Sequence, residues 1–106
     1  MLADNVMGLY YDFASQPVGD LEIGKPPLHP HIAFGGETAT SNNKSAALFL
    51  CNTPGTVAAG GDDWSKCPPS SATQSSCSTA PTTYSDIVLA GTGPGTVSVT
   101  DCTVGP

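Results

Sequence analysis

Two short runs gather the side chains of this sequence best suited to chemistry. In His29-Pro30-His31 two imidazoles stand one residue apart, and with Glu37 they form the beginning of a transition-metal site. Such a site needs about three or four ligands held by a further layer of hydrogen bonds. No further partner is specified, so a solvated loop is expected and no metal is assigned. In Gly61-Asp62-Asp63-Trp64 the carboxylates could contribute to a calcium site and the indole could stack on a sugar. A hard cation wants roughly six to eight oxygens, and turn chemistry explains the Gly-Asp-Asp run equally well. Asp62, Asp63 and Trp64 are retained as a candidate ligand-binding group.

Catalytic patterns are missing. There is no G-x-S-x-G, and no serine is paired with either histidine at a local spacing. Gly91-Thr92-Gly93-Pro94-Gly95-Thr96 has the glycine content of a phosphate cradle but neither the lysine nor the following helix that such a loop needs, so a hairpin turn is expected. No catalytic residue and no cofactor is assigned, and the chain is not expected to be an enzyme.

Cys51, Cys67, Cys77 and Cys102 include no C-x-x-C pair of the kind that holds zinc or performs dithiol exchange. An even cysteine count in a chain rich in Ser, Thr, Gly and Pro and poor in charge points to disulfides and an extracellular setting. Four cysteines permit three connectivities. The preferred one closes the loop CPPSSATQSSC through Cys67 and Cys77 and joins two strand-like segments through Cys51 and Cys102.

The chain has 106 residues and a formal net charge of -6, with only 11% charged residues and no arginine. Its three lysines, Lys25, Lys44 and Lys66, are too scattered to neutralise a row of phosphates, which argues against nucleic acid or an anionic membrane as partner. No apolar run approaches the roughly 18 to 20 residues of a membrane-spanning helix. The first residues, MLADNV, lack the basic and apolar regions of a secretory leader. One domain over residues 1–106 is expected, with no internal repeat or boundary.

The elements that would position these residues are short. Leu2, Val6, Leu9, Tyr10 and Phe13 recur at helical spacing, so the pattern predicts an amphipathic helix over residues 2–14, capped by Asp4 or Asn5 and ended before Pro17. Ala46 to Cys51 is a continuous apolar run bounded by turn residues, which predicts a buried strand. Residues 52–83 read mostly as loop, with an edge strand over Thr56 to Ala59. Tyr84 to Ala90 and Thr96 to Val104 read as two strands of a hairpin, with a break in phase near Asp101. The fold class expected is α+β, mainly β: a short N-terminal helix packed on a small antiparallel sheet with long disulfide-stapled loops.

This order of elements resembles the globular head of a type IV pilin or pseudopilin. The resemblance is carried by Leu2 to Phe13, by Ile87-Val88-Leu89-Ala90 and Thr96-Val97-Ser98-Val99, and by the late Cys102. Members of that family begin with a basic leader and a long apolar helix, neither of which is found here. The resemblance therefore implies a structural subunit of an extracellular, homo-oligomeric pilus-like filament, forming its exposed head: either a truncated soluble head or the globular partner in a split pilin, which in the split case docks through Leu2, Val6, Leu9, Tyr10 and Phe13 on a separate hydrophobic-helix subunit. The alternative is a small secreted binding module, an adhesin or virion decoration protein, recognising a glycan or a surface protein.

Overall fold

A computed structural model describes residues 7–12, 43–60, 62–64, 66–93 and 95–104. They contain eight strands: β1 (Met7–Asp12), β2 (Ala46–Cys51), β3 (Thr56–Ala58), β4 (Asp63–Trp64), β5 (Ser71–Gln74), β6 (Ser85–Ala90), β7 (Thr96–Ser98) and β8 (Thr103–Val104). The first sheet has the order β1-β2-β6-β5, the second pairs β3 with β7, and the third pairs β4 with β8. Every one of these pairings is parallel.

The registers explain the architecture. Ala46 lies beside Ser85, Thr56 beside Thr96 and Asp63 beside Thr103, so β2-β3-β4 and β6-β7-β8 are successive turns of one coil, stacked tier on tier. This is the geometry of a parallel β-solenoid. The sequence carries its trace: Pro54-Gly55-Thr56-Val57 returns as Pro94-Gly95-Thr96-Val97. The repeat was not expected, because a four-residue match 40 residues away is invisible to hydropathy patterning.

Three sequence expectations are corrected. No helix occurs among the described residues, and residues 7–12 form β1 rather than part of an N-terminal helix. Gly8 weakens a helix by about 1 kcal/mol relative to Ala, whereas Tyr10 and Tyr11 favour a pleated strand, and β1 gains a full backbone ladder along β2. The antiparallel sheet and its hairpin are likewise absent among these residues. The corner after Ala90 carries Gly91 and Gly93 at φ of 85° and 61°, and it leads the chain into the second sheet instead of back along β6. Finally, the segment read as mostly loop holds β4 and β5 besides β3, which stands where the edge strand is expected.

The strand over Ala46 to Cys51 is as expected, and its composition follows from its place. β2 lies between β1 and β6 with all six residues buried, which is why it reads as an unbroken apolar run rather than an alternation. Leu48, Leu50 and Ile87 pack inside the coil with Val57, Ala59 and Trp64, and Leu9, Leu89, Val97 and Val99 lean on this cluster. Phe49, Cys51, Val88 and Ala90 form a second cluster, against which Met7 and Cys77 pack.

Both disulfides join residues that stacking brings together: Cys51 to Cys77, with Cα atoms 5.7 Å apart, and Cys67 to Cys102, at 5.9 Å. This overturns the expected pairing of Cys67 with Cys77 and of Cys51 with Cys102. Cys51, Ala90 and Gln74 share one row of the first sheet, and Cys77 follows Gln74 by three residues. Cys67 similarly follows β4, and Cys102 directly precedes its neighbour β8. Contacts in sequence were a poor guide because the nearest neighbours in space belong to another tier.

Candidate functional site

The coil is closed tightly at its corners. Asn52 stands in the left-handed region at φ 51° and its Oδ1 accepts the Thr92 N–H at 2.8 Å, while its own N–H donates to the Ala90 carbonyl at 2.9 Å. Further along, Gly95 N–H donates to Thr53 O at 2.9 Å and Thr96 N–H to Gly55 O at 2.8 Å. The hydroxyls of Thr56 and Thr96 meet at 3.3 Å, a short ladder running along the stack. Backbone and side chains thus hold the second tier in register on the first.

Among the described residues the coil is incomplete beyond that second tier. β5 continues the first sheet past β6, but among the described residues no strand lies beyond β7 or β8. The step leaves an open cleft of about 370 Å³, floored by Leu89, Val97 and Val99 and walled by Pro68, Ser71 and Thr96. Its lining is aliphatic, prolyl and hydroxyl.

The cleft's first wall is fixed by a buried carboxylate. Asp86 in β6 is 1% exposed; its Oδ2 accepts the Ser70 N–H at 2.9 Å and the Ser70 hydroxyl at 3.1 Å, and its Oδ1 accepts the Tyr84 hydroxyl at 2.6 Å. The Asp86 N–H donates in turn to Ser70 Oγ at 2.9 Å. Ser70 leads directly into β5, so this reciprocal pair sets where the edge of the third tier begins.

The residues singled out from sequence are placed differently. Trp64 and Asp62 are both fully buried, the indole within the inner core, so Trp64 presents no exposed stacking face. Asp63 is half-buried and its carboxylate accepts the Thr103 hydroxyl across the third sheet. Among the described residues no group of three or more His, Cys, Asp or Glu side chains is placed to hold a metal ion. His29, His31 and Glu37 lie outside the described residues.

Of the partner-binding stripe, Leu2, Val6 and Phe13 also lie outside the described residues. Leu9 and Tyr10 are neighbours in β1 and so face opposite sides of the sheet. Leu9 packs on the inner cluster, whereas Tyr10 is 47% exposed and stacks on Phe49 with ring centroids 5.3 Å apart. The two do not form one docking face. What sequence reasoning missed is the cleft itself, and the repeated Pro-Gly-Thr-Val was the available signal.

Comparison with protein-family models, with curated proteins and with solved structures finds no match to this chain.

Proposed function

We propose that this chain is a structural domain of an extracellular surface assembly, acting by presenting and burying surface. The observation that carries the proposal is the pair of disulfides that join different turns of the coil, with no free cysteine among the described residues. Disulfides of this kind persist in oxidising compartments and are rare where thiols are kept reduced. A stapled solenoid is a rigid strut, and its hydroxyl-rich segment Ser70 to Ser78 faces largely outward.

The pilin-head resemblance rested on a helix and an antiparallel hairpin. Parallel strands stand at the described positions of both, and the proposal does without it. Docking of a helical stripe on a separate apolar-helix subunit is not carried forward, since Leu9 and Tyr10 face apart. The binding-module reading keeps its protein-recognition form, favoured by the cleft; its glycan form depended on an exposed Trp64.

The test is compartment-dependent folding followed by fractionation. Chain exported to an oxidising compartment is expected to be protease-resistant, free of reactive thiols and recoverable in a high-mass surface fraction. Chain kept in a reducing cytosol is expected to be protease-sensitive. Equal resistance in both, with free thiols in each, would overturn the proposal.

A further inference from the structure

We infer that the cleft beyond β7 is a strand-addition site, which takes one extended peptide of the Gly-Thr-Val type, parallel to β7, as the missing strand of the third tier. The inference names a partner for the assembly reading and rests on it.

Burial shows what is uncovered. One tier back, Leu50, Val57, Ala59 and Trp64 are 0–2% exposed beneath the second turn of the coil. Their counterparts in the second turn are Leu89, Val97, Val99 and Val104; the first three are half-buried and Val104 is 66% exposed. Among the described residues the apolar column therefore continues to an open end.

Thickness determines the size of the occupant. β5, with Pro68 and Pro69 before it, rises one strand beyond β6 and walls the cleft, so the step between the first and second sheets is a single strand spacing of about 4.8 Å. A second copy stacked rigidly end to end does not fit this step. β1 lies beyond β2 at one end of the first sheet and β5 beyond β6 at the other. Bringing β7 of one copy beside β3 of the next would lay β2 and β1 of the second copy on β5 and β6 of the first. Among the described residues a lone extended segment meets no such obstruction.

The corner sets the chemistry. A Cβ on Gly95 would overlap the carbonyl oxygen of Gly55 and lie 2.6 Å from its nitrogen, so this stack tolerates only glycine in the upper tier at that position. A strand continuing the stack needs glycine over Gly95, a β-branched hydroxyl to extend the Thr56–Thr96 ladder, and an apolar residue over Val97. Main-chain hydrogen bonds would supply affinity and the glycine and apolar positions specificity, as in other strand additions.

The probe is a synthetic peptide of residues 52–60, NTPGTVAAG, titrated into the full chain while backbone amide resonances are followed. Saturable shifts confined to residues 96–99 and the cleft wall are expected, and a peptide with its first glycine replaced by alanine should bind at least about tenfold more weakly. Ser71→Trp, at an exposed position on the wall, and Val99→Asp, on the floor, should each abolish the shifts with the circular dichroism unchanged for the first. Absence of saturable shifts at millimolar peptide, equal binding of the alanine peptide, or a self-associated chain already protecting the Val97 amide would overturn the inference. Failure of the compartment test leaves these titration results intact, so the two proposals fail separately.

Discussion

Gly95 sits directly over Gly55, so close that a Cβ at Gly95 would lie 2.8 Å from the Gly55 carbonyl carbon and overlap its oxygen. The two glycines occupy the same step of successive Pro-Gly-Thr-Val turns, and their contact lets the Thr96 N–H reach the Gly55 carbonyl at 2.8 Å. The spacing between tiers at this corner is set by an absence of side chain.

The two positions should respond differently to alanine. Gly95→Ala puts a methyl group against backbone that cannot rotate away, and a loss of about 2–4 kcal/mol is expected. Gly55 has nothing within 4 Å of its missing Cβ but stands at φ 76°, so Gly55→Ala should lose only about 1–2 kcal/mol of left-handed strain. Urea denaturation of both variants checks the order. Equal losses would mean that the corners are not in close contact.

Asp86 offers a test of the cleft wall. Its carboxylate accepts two hydrogen bonds from Ser70 and one from Tyr84 among the described residues, at 1% exposure. Asp86→Asn removes the charge from these hydrogen bonds and turns one accepting oxygen into a donor, for an expected loss of about 1–3 kcal/mol. Tyr84→Phe should cost about 1 kcal/mol alone and less in the Asn background, because the bond it removes is already impaired. Additive losses in a double-mutant cycle would argue that the pair is not coupled.

How far the sequence disclosed this fold depends on the range of each signal. Ala46 to Cys51 was legible as a buried strand because burial on both faces writes an unbroken apolar run. The break near Asp101 was legible too, and the residue stands at φ 54° between β7 and β8. The pairing of Thr96 to Ser98 was not, since its alternation reports a half-buried strand without naming the partner, here β3 in another turn of the coil. Met7 to Asp12 was misread because Leu9 and Tyr10, adjacent on a helical face, become opposite in a strand. The candidate cleft was hidden for the same reason as the register, as it exists only once two distant turns are stacked.

The disulfides should differ in how readily they open. Cys51 is fully buried between β1 and β6, whereas Cys67 is exposed and Cys102 half-buried. Brief treatment with a mild reductant followed by alkylation should label Cys67 and Cys102 first, and non-reducing peptide mapping of the untreated chain should recover Cys51 joined to Cys77. The bridges span sequence separations of 26 and 35, for which the chain-entropy argument gives about 3–4 kcal/mol each. Removing either pair by Cys→Ala should therefore lower stability by a comparable amount. Recovery of Cys67 joined to Cys77 would overturn the stacked arrangement itself.

Trp64 is the sole tryptophan and lies in the inner core with no exposed surface. A ligand-stacking indole would emit like one in water and be quenched by iodide. The buried indole should instead emit to the blue and resist iodide until the chain unfolds. Trp64→Ala should cost about 3–5 kcal/mol, because β8 offers only Val104 beside it and the space left is too large to close. Trp64→Phe keeps most of the volume and should retain the fold at a smaller loss. Solvent-exposed emission from a chain whose disulfides are intact would contradict the packing of β4 into the coil.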